Sequence, residues 1–286
     1  GAACAAAAAA ALVAAGARAQ TAPDSGRTLQ DLERGDPRPA PSGDTDVVPR
    51  APAMEAPDGG KGGATVRLDS VRFTGNTVFD DGTLRDALGP EAFGTPHTLA
   101  DLRALARRVA RHYRDNGYPF ARAVLPPQKL GDGVLTVRVI EGRYGTVEAT
   151  GDDALIPLAE DFLKPLEPGG VIAARPLERT VLLLDDQPGV RVRPTLRPGR
   201  KPGTSRLDVA VKADQRVSGS VGLDNHGNRY SGPYRMRAAV RYNRLLTAGD
   251  RVTAQALYTD EGLWLGDLGY GLPLGASGLR GRVSFA

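Results

Sequence analysis

From residue 215 to the last residue the chain alternates between apolar and polar side chains. In the stretch 233–243, Tyr234, Met236, Ala238, Val240 and Tyr242 share one face of a strand, and Arg235, Arg237, Ala239, Arg241 and Asn243 share the other, because side chains alternate across a strand. The pattern recurs on both sides. Val217, Gly219, Val221 and Leu223 oppose Arg216, Ser218, Ser220 and Asp224. Val252, Ala254, Ala256 and Tyr258 oppose Arg251, Thr253, Gln255 and Thr259. Trp264, Gly266, Leu268, Tyr270 and Leu272 share a face opposite Asp267, and Leu279, Gly281, Val283 and Phe285 oppose Arg280, Arg282 and Ser284. A polar connection at 225–232 and a short turn at 245–250 separate the segments. Each segment is near the ~9–11 residues with which a tilted strand crosses a bilayer. The repetition predicts antiparallel strands of a transmembrane β-barrel, with a soluble sheet wet on one face as the plainer alternative. Arginine is costly in lipid, so the same register assigns Arg235, Arg237 and Arg241 to the lumen.

Before this meander the period changes twice in the same order. Val66, Leu68, Val71 and Phe73 mark a strand ended by Gly75-Asn76, and 84–88 reads as a short helix. Thr98 with Asp101 forms a capping box. The helix it opens carries Leu99, Leu102, Leu105, Val109 and Tyr113 on one stripe and Arg103, Arg107, Arg111 and Arg114 on the other, and Asn116-Gly117 ends it. Strands at about 120–125 and 134–140 follow. A second unit repeats strand, helix, helix, strand, strand at 144–149, 154–162, a stripe of Leu177, Val181 and Leu184, then 189–196 and 207–211. The fold class is therefore α+β, a β-α-α-β-β unit used twice, followed by barrel strands. Each unit has ~70–80 residues, enough to fold around its own small core.

The first 63 residues differ again. Residues 2–15 are nearly all alanine, and Ala17-Arg18-Ala19 gives a small-x-small pattern, so 1–20 reads as a signal peptide. Residues 21–63 are rich in Pro, Gly and charge and read as a linker, with one short helical candidate at 27–34 ended by the prolines at 37–41. The domains expected are thus 1–20, 21–63, 64–142, 143–214 and 215–286. Both ends of the 286 residues read as incomplete.

Composition narrows the chemistry. Net charge is +4, with 37 Lys and Arg against 33 Asp and Glu, but the arginines alternate along strands instead of clustering, which argues against nucleic acid. One cysteine permits no internal disulfide. His97, His112 and His226 have no metal-site spacing. No nucleophile elbow is present, and Asp185-Asp186 reads as a solvated helix end. Neither an enzyme nor a cofactor or metal site is expected.

Three stretches then carry a resemblance. Val71-Arg72-Phe73-Thr74-Gly75-Asn76-Thr77-Val78-Phe79, the helix end Asn116-Gly117-Tyr118, and Leu135-Thr136-Val137-Arg138-Val139-Ile140-Glu141-Gly142 resemble the first POTRA domain of the haemolysin secretion/activation family, the outer-membrane transporters of two-partner secretion. The second unit is similar to their second POTRA domain. The segments 223–232 and 270–275 are similar to their first barrel strands. The resemblance implies an outer-membrane pore whose POTRA domains face the periplasm, capture an unfolded exoprotein with an N-terminal secretion domain, and pass it through the barrel. A small sheet edge takes an added strand from an extended chain. The expected edge is Ala121, Arg122, Ala123, Val124 and Leu125, beside Arg103, Arg107, Arg111 and Arg114. The partners implied are that exoprotein and outer-membrane lipid. A barrel assembly factor and a soluble periplasmic POTRA scaffold are the alternatives. Family barrels have more strands than the segments counted here, and in relatives an N-terminal helix plugs the pore, for which 27–34 is the short candidate.

Overall fold

A computed structural model describes residues 65–227 and 232–286. The expected signal peptide, the expected linker with its helical candidate, and part of the connection at 225–232 lie outside the described residues.

The first unit comprises β1 (Val66–Arg67), β2 (Ser70–Thr74), α1 (Asp81–Leu88), β3 (Pro96–His97), α2 (Leu99–Asp115), β4 (Arg122–Val124) and β5 (Val134–Ile140). The single strand expected at 66–73 is two, because Leu68 turns into the core and is fully buried. β5 is the central strand, parallel to β2 and antiparallel to β4. α2 begins where the sequence predicts. Thr98 accepts from the Asp101 N–H, and the Asp101 carboxylate accepts from the Thr98 N–H, a device worth about 1 kcal/mol. Leu102, Leu105, Val109 and Tyr113 are buried with Leu84 and Leu88 of α1 and Leu135, Val137 and Val139 of β5. Leu99 departs from the expected stripe. It is 54% exposed at the first residue of the helix.

The second unit repeats this plan with β6 (Arg143–Gly151), α3 (Ile156–Leu163), α4 (Ala174–Asp185), β7 (Val190–Pro198) and β8 (Thr204–Ala213). β8 is central, parallel to β6 and antiparallel to β7. Leu177, Val181 and Leu184 of α4 pack on Val190, Val192, Leu207 and Val209. Full burial of such a side chain contributes roughly 1.5–3 kcal/mol.

The remainder is one antiparallel meander of β9 (Val217–Asp224), β10 (Arg235–Asn243), β11 (Arg251–Thr259), β12 (Trp264–Pro273) and β13 (Arg280–Phe285), each strand bonded to its neighbour in sequence. Its register keeps the predicted faces. Met236 stands between Leu223 and Tyr258, and Arg235 between Asp224 and Thr259. No helix among the described residues is long and apolar enough to cross a membrane.

Candidate functional site

The apolar face of the meander lies open. Val221 is 75% exposed and Leu223 80%, with Met236, Val240, Trp264, Leu268, Val283 and Phe285 also exposed on the same face. Tyr258 and Trp264 meet on it, ring centroids 4.7 Å apart. The opposite face is polar and internally paired. Arg235 Nε donates to Asp224 Oδ1 at 2.8 Å, and Arg237 Nη2 lies 2.7 Å from Asp224 Oδ2. Arg241 Nε approaches Ser218 Oγ at 3.4 Å, and Arg251 donates to Asn243 Oδ1. Arg282 pairs with Asp267 at 3.2 Å. The three arginines singled out in the sequence therefore share one polar wall, with one carboxylate serving two of them.

In the first domain the arginines and the edge are separate features on touching elements. Arg103, Arg107, Arg111 and Arg114 are exposed on α2, whereas Arg108 on the same helix is held by Leu88 O and Glu91. β4 is shorter than the expected strand, and Ala121 is buried in the core at 2% exposure. This corrects its place among the accessible residues. The shortening has a cause. Gln128 Oε1 accepts from the Thr136 N–H and its Nε2 donates to Thr136 O, so a side-chain amide replaces the next strand residue opposite β5. Pro126 and Pro127 precede it and offer no N–H. By alternation the backbone groups of Ala123 and Leu125 face outward, while Arg122 and Val124 bond to β5.

β7, the equivalent strand of the second domain, is longer but closed at every outward N–H position except that of Leu196. Gly189 O accepts from Asp214 N and Gly199 N donates to Thr204 O, so odd-numbered residues face β8 and even-numbered ones face outward. Of the outward groups, Val192 N–H is bonded to Asp185 Oδ1 at 2.8 Å, and Pro194 and Pro198 have no N–H. Asp185, expected to be only a solvated helix end, shields a sheet edge.

Two joints were invisible in the sequence because each links residues far apart in the chain. Glu141 closes the first domain and is 3% exposed. It accepts from the N–H groups of Thr77 and Val78, from Thr77 Oγ1 and from Tyr113 OH, and Arg143 of β6 reaches both Glu141 and Thr77. Burial pushes the Glu141 carboxyl upward, but these donors outweigh it and hold the group below its ordinary value. Burial, with Glu141 beside it, pushes the Tyr113 hydroxyl well above its ordinary value. At the other joint the second domain meets the turns of the meander. Arg280 donates to Gln187 Oε1 at 3.0 Å and to Gly249 O at 3.1 Å. Arg280 therefore serves this contact as well as belonging to the polar face. Arg244 donates to Asp214 O. Gly278, which packs against the Leu183 side chain, has φ +92°, a left-handed backbone conformation that favours glycine. Between these turns Asp250 accepts from the N–H groups of Leu245, Leu246 and Thr247. Burial pushes its carboxyl up, but these donors together with the Tyr270 hydroxyl outweigh it and hold the group below its ordinary value. No group of His, Cys, Asp and Glu among the described residues has the arrangement of a metal site.

Comparison with known proteins agrees with this geometry. Residues 66–142 match a POTRA domain of ShlB type, and residues 203–279 match the haemolysin secretion/activation protein family ShlB/FhaC/HecB. The heme/hemopexin transporter protein HuxB of Haemophilus influenzae (strain 86-028NP) is 31% identical over 173 residues, 59% of this chain and 30% of HuxB. The outer membrane transporter CdiB of Escherichia coli O6:K15:H31 is 30% identical over 155 residues, 53% of this chain and 26% of CdiB. The matches thus span less than a third of these curated relatives. Among solved structures, CdiB from Escherichia coli superposes with a TM-score of 0.66 at 22% identity, covering 91% of this chain and 49% of that one. CdiB from Acinetobacter baumannii gives 0.59 at 16% identity, covering 87% and 49%. At these identities the two structures establish the shared fold.

Proposed function

We propose, from a chain that belongs to the haemolysin secretion/activation family, that the protein acts in two-partner secretion as an outer-membrane pore. Residues 64–142 and 143–214 are its periplasmic POTRA domains, and 215–286 contribute the first strands of its barrel wall. The observation that carries this reading is the inverted exposure of the meander. Its apolar side chains face out and its arginines face in, directly after two small domains whose cores are ordinary. A soluble scaffold would leave that apolar face in water, against the hydrophobic effect.

The substrate is an unfolded exoprotein with an N-terminal secretion domain. Ala123 and Leu125 offer it a short backbone edge, and Arg103, Arg107, Arg111 and Arg114 give acidic segments a cationic approach. Arg235, Arg237 and Arg241 line the start of the passage. Asp224 pairs with two of them but carries a single negative charge, so the wall is polar and keeps a positive excess. The described chemistry is that of binding and passage; the transporter names of the relatives agree with a protein that is not an enzyme.

The test is reconstitution of the full-length protein in planar bilayers, together with a secretion assay on a variant lacking 64–214. Conductance from the intact protein and loss of secretion in the deletion are expected. No conductance, or secretion that survives the deletion, overturns the reading.

A further inference from the structure

The second domain holds a groove that the sequence did not single out. It lies between β6 and α3 and has a volume of about 380 Å³. Leu163 and Leu166 supply apolar lining, and Glu160 and Glu167 stand on the rim. One wall is a sheet edge. Asp152 N–H bonds to Val211 O, and β6 runs parallel to β8 with Gly151 opposite Val211. Alternation then sends the backbone groups of Thr150, Glu148 and Thr146 toward β8 and those of Val147, Ala149 and Gly151 outward. At the start of the strand this outer edge is already used, since Tyr144 exchanges hydrogen bonds with Gly169 and Gly170. Beyond Tyr144 nothing among the described residues pairs with it.

The edge and the groove fit one kind of occupant. Unpaired backbone groups in a row accept an extended chain, and alternate side chains of that chain enter the adjacent groove. Charge selects further. Lys164 is held by Asp161 at 2.6 Å, and Glu148 by Arg206 at 3.0 Å. Glu160 feels the charge of Lys164 but forms no ion pair with it, and Glu167 forms none among the described residues, so the rim, with Lys164 held by Asp161, keeps a net negative charge.

We infer that the β6–α3 groove is a second capture site, which takes an extended segment of the secreted polypeptide as a strand added to β6, with small apolar residues facing the groove and Lys or Arg facing Glu160 and Glu167. This rests on the secretion reading and gives the second domain its own substrate preference. The first domain offers exposed arginines and suits acidic segments, whereas this site suits basic ones.

The experiment uses the full-length protein in lipid nanodiscs and a fluorescein-labelled decapeptide in which valine alternates with lysine and threonine. The control peptide carries glutamate in place of lysine. Saturable binding of the basic peptide alone is expected. Ala149→Pro removes an outward N–H and leaves the β8 ladder intact, and the double change Glu160→Lys with Glu167→Lys alters only exposed positions. Each weakens binding by about tenfold, the scale of one or two lost charge-assisted or backbone hydrogen bonds. If Ala149→Pro does not fold, the charge variant decides alone. Unchanged binding in the charge variant, or equal binding of the glutamate peptide, overturns the inference. Secretion by the unaltered protein is followed in parallel. Its absence overturns the transporter reading, whereas normal secretion with binding indifferent to the variants overturns the groove alone.

Discussion

β7 and β10 are both nine residues long, and both alternate arginine with apolar residues, Val-Arg-Val-Arg-Pro-Thr-Leu-Arg-Pro against Arg-Met-Arg-Ala-Ala-Val-Arg-Tyr-Asn. Their exposures are opposite. In β7, Val190 and Val192 are 5% and 4% exposed and Arg191 is in water. In β10, Met236 and Val240 are 42% and 49% exposed, while the Arg235 side chain is only 10% exposed against Asp224. Alternation sorts residues onto two faces and does not say which face is dry. What decides is the neighbour. Two helices cover the apolar face of β7, and among the described residues nothing covers that of β10. A strand with this pattern is a soluble-domain strand when helices precede it and a membrane strand when more strands follow.

The largest effect that sharpens this contrast belongs to the covered sheet. Leu184→Ala empties a fully buried position beneath β7 and is expected to cost about 2–5 kcal/mol in urea unfolding followed by a probe in the second domain. A loss under about 1 kcal/mol contradicts the packing described. The matching change on the open sheet is Val240→Arg. In lipid it is expected to cost about 2–4 kcal/mol near the bilayer midplane, whereas a soluble sheet would tolerate an arginine at a half-exposed site within roughly 0.5 kcal/mol. Refolding into vesicles at a series of urea concentrations distinguishes the two environments directly.

How far the sequence carries depends on whether a feature is local. The capping box at Thr98 and Asp101, the central strand at Val134–Ile140 and the faces of β9 to β13 all follow from residues a few positions apart, and all are present. The order strand, helix, helix, strand, strand was legible for the same reason. The sheet edges were not. Ala121 looked like edge because it alternates with Arg122, yet the turn before β4 buries it, and Gln128 completes the ladder with a side chain that no strand pattern registers. Asp185 looked like a helix end because its partner, the Val192 N–H, lies across a turn. Glu141 and Arg280 act across 63–64 and 93 residues respectively, a separation over which a single sequence has no periodicity to read.

Glu141 gives the next prediction, smaller in size and dependent on pH. Its carboxylate joins the two domains and is lowered from the ordinary 4.5. A lowered acid contributes stability that is fully present above the unfolded value and is lost as pH falls through the folded one. Glu141→Gln keeps the shape and removes the charge, and is expected to cost about 1.5–3 kcal/mol at pH 7, the scale of hydrogen bonds to a charged group. Below the unfolded value the difference between the two proteins shrinks, and it is gone once pH has fallen below the folded one. Thermal unfolding at pH 7 and pH 3.5 measures both halves. A difference that persists unchanged in acid rules out the charged joint.

The smallest change in stability tests the protection of β7. Pro194 faces outward on an edge where Val192 N–H is already occupied and Pro198 has no N–H. Pro194→Thr therefore breaks no bond of the β8 ladder and is expected to shift stability by under about 0.5 kcal/mol. It does add an outward N–H beside that of Leu196, which leaves two unpaired donors on the same edge. Exposed edges of this kind pair with one another unless something blocks them. The variant is expected to self-associate in detergent or nanodiscs under conditions where the original stays monodisperse, read by sedimentation velocity and by disulfide capture through Thr195→Cys. Equal self-association in the two proteins means that the prolines do not guard this edge. In that case β7 returns as a rival to β6 for an incoming strand, and the two domains differ less in what they admit than their edges suggest.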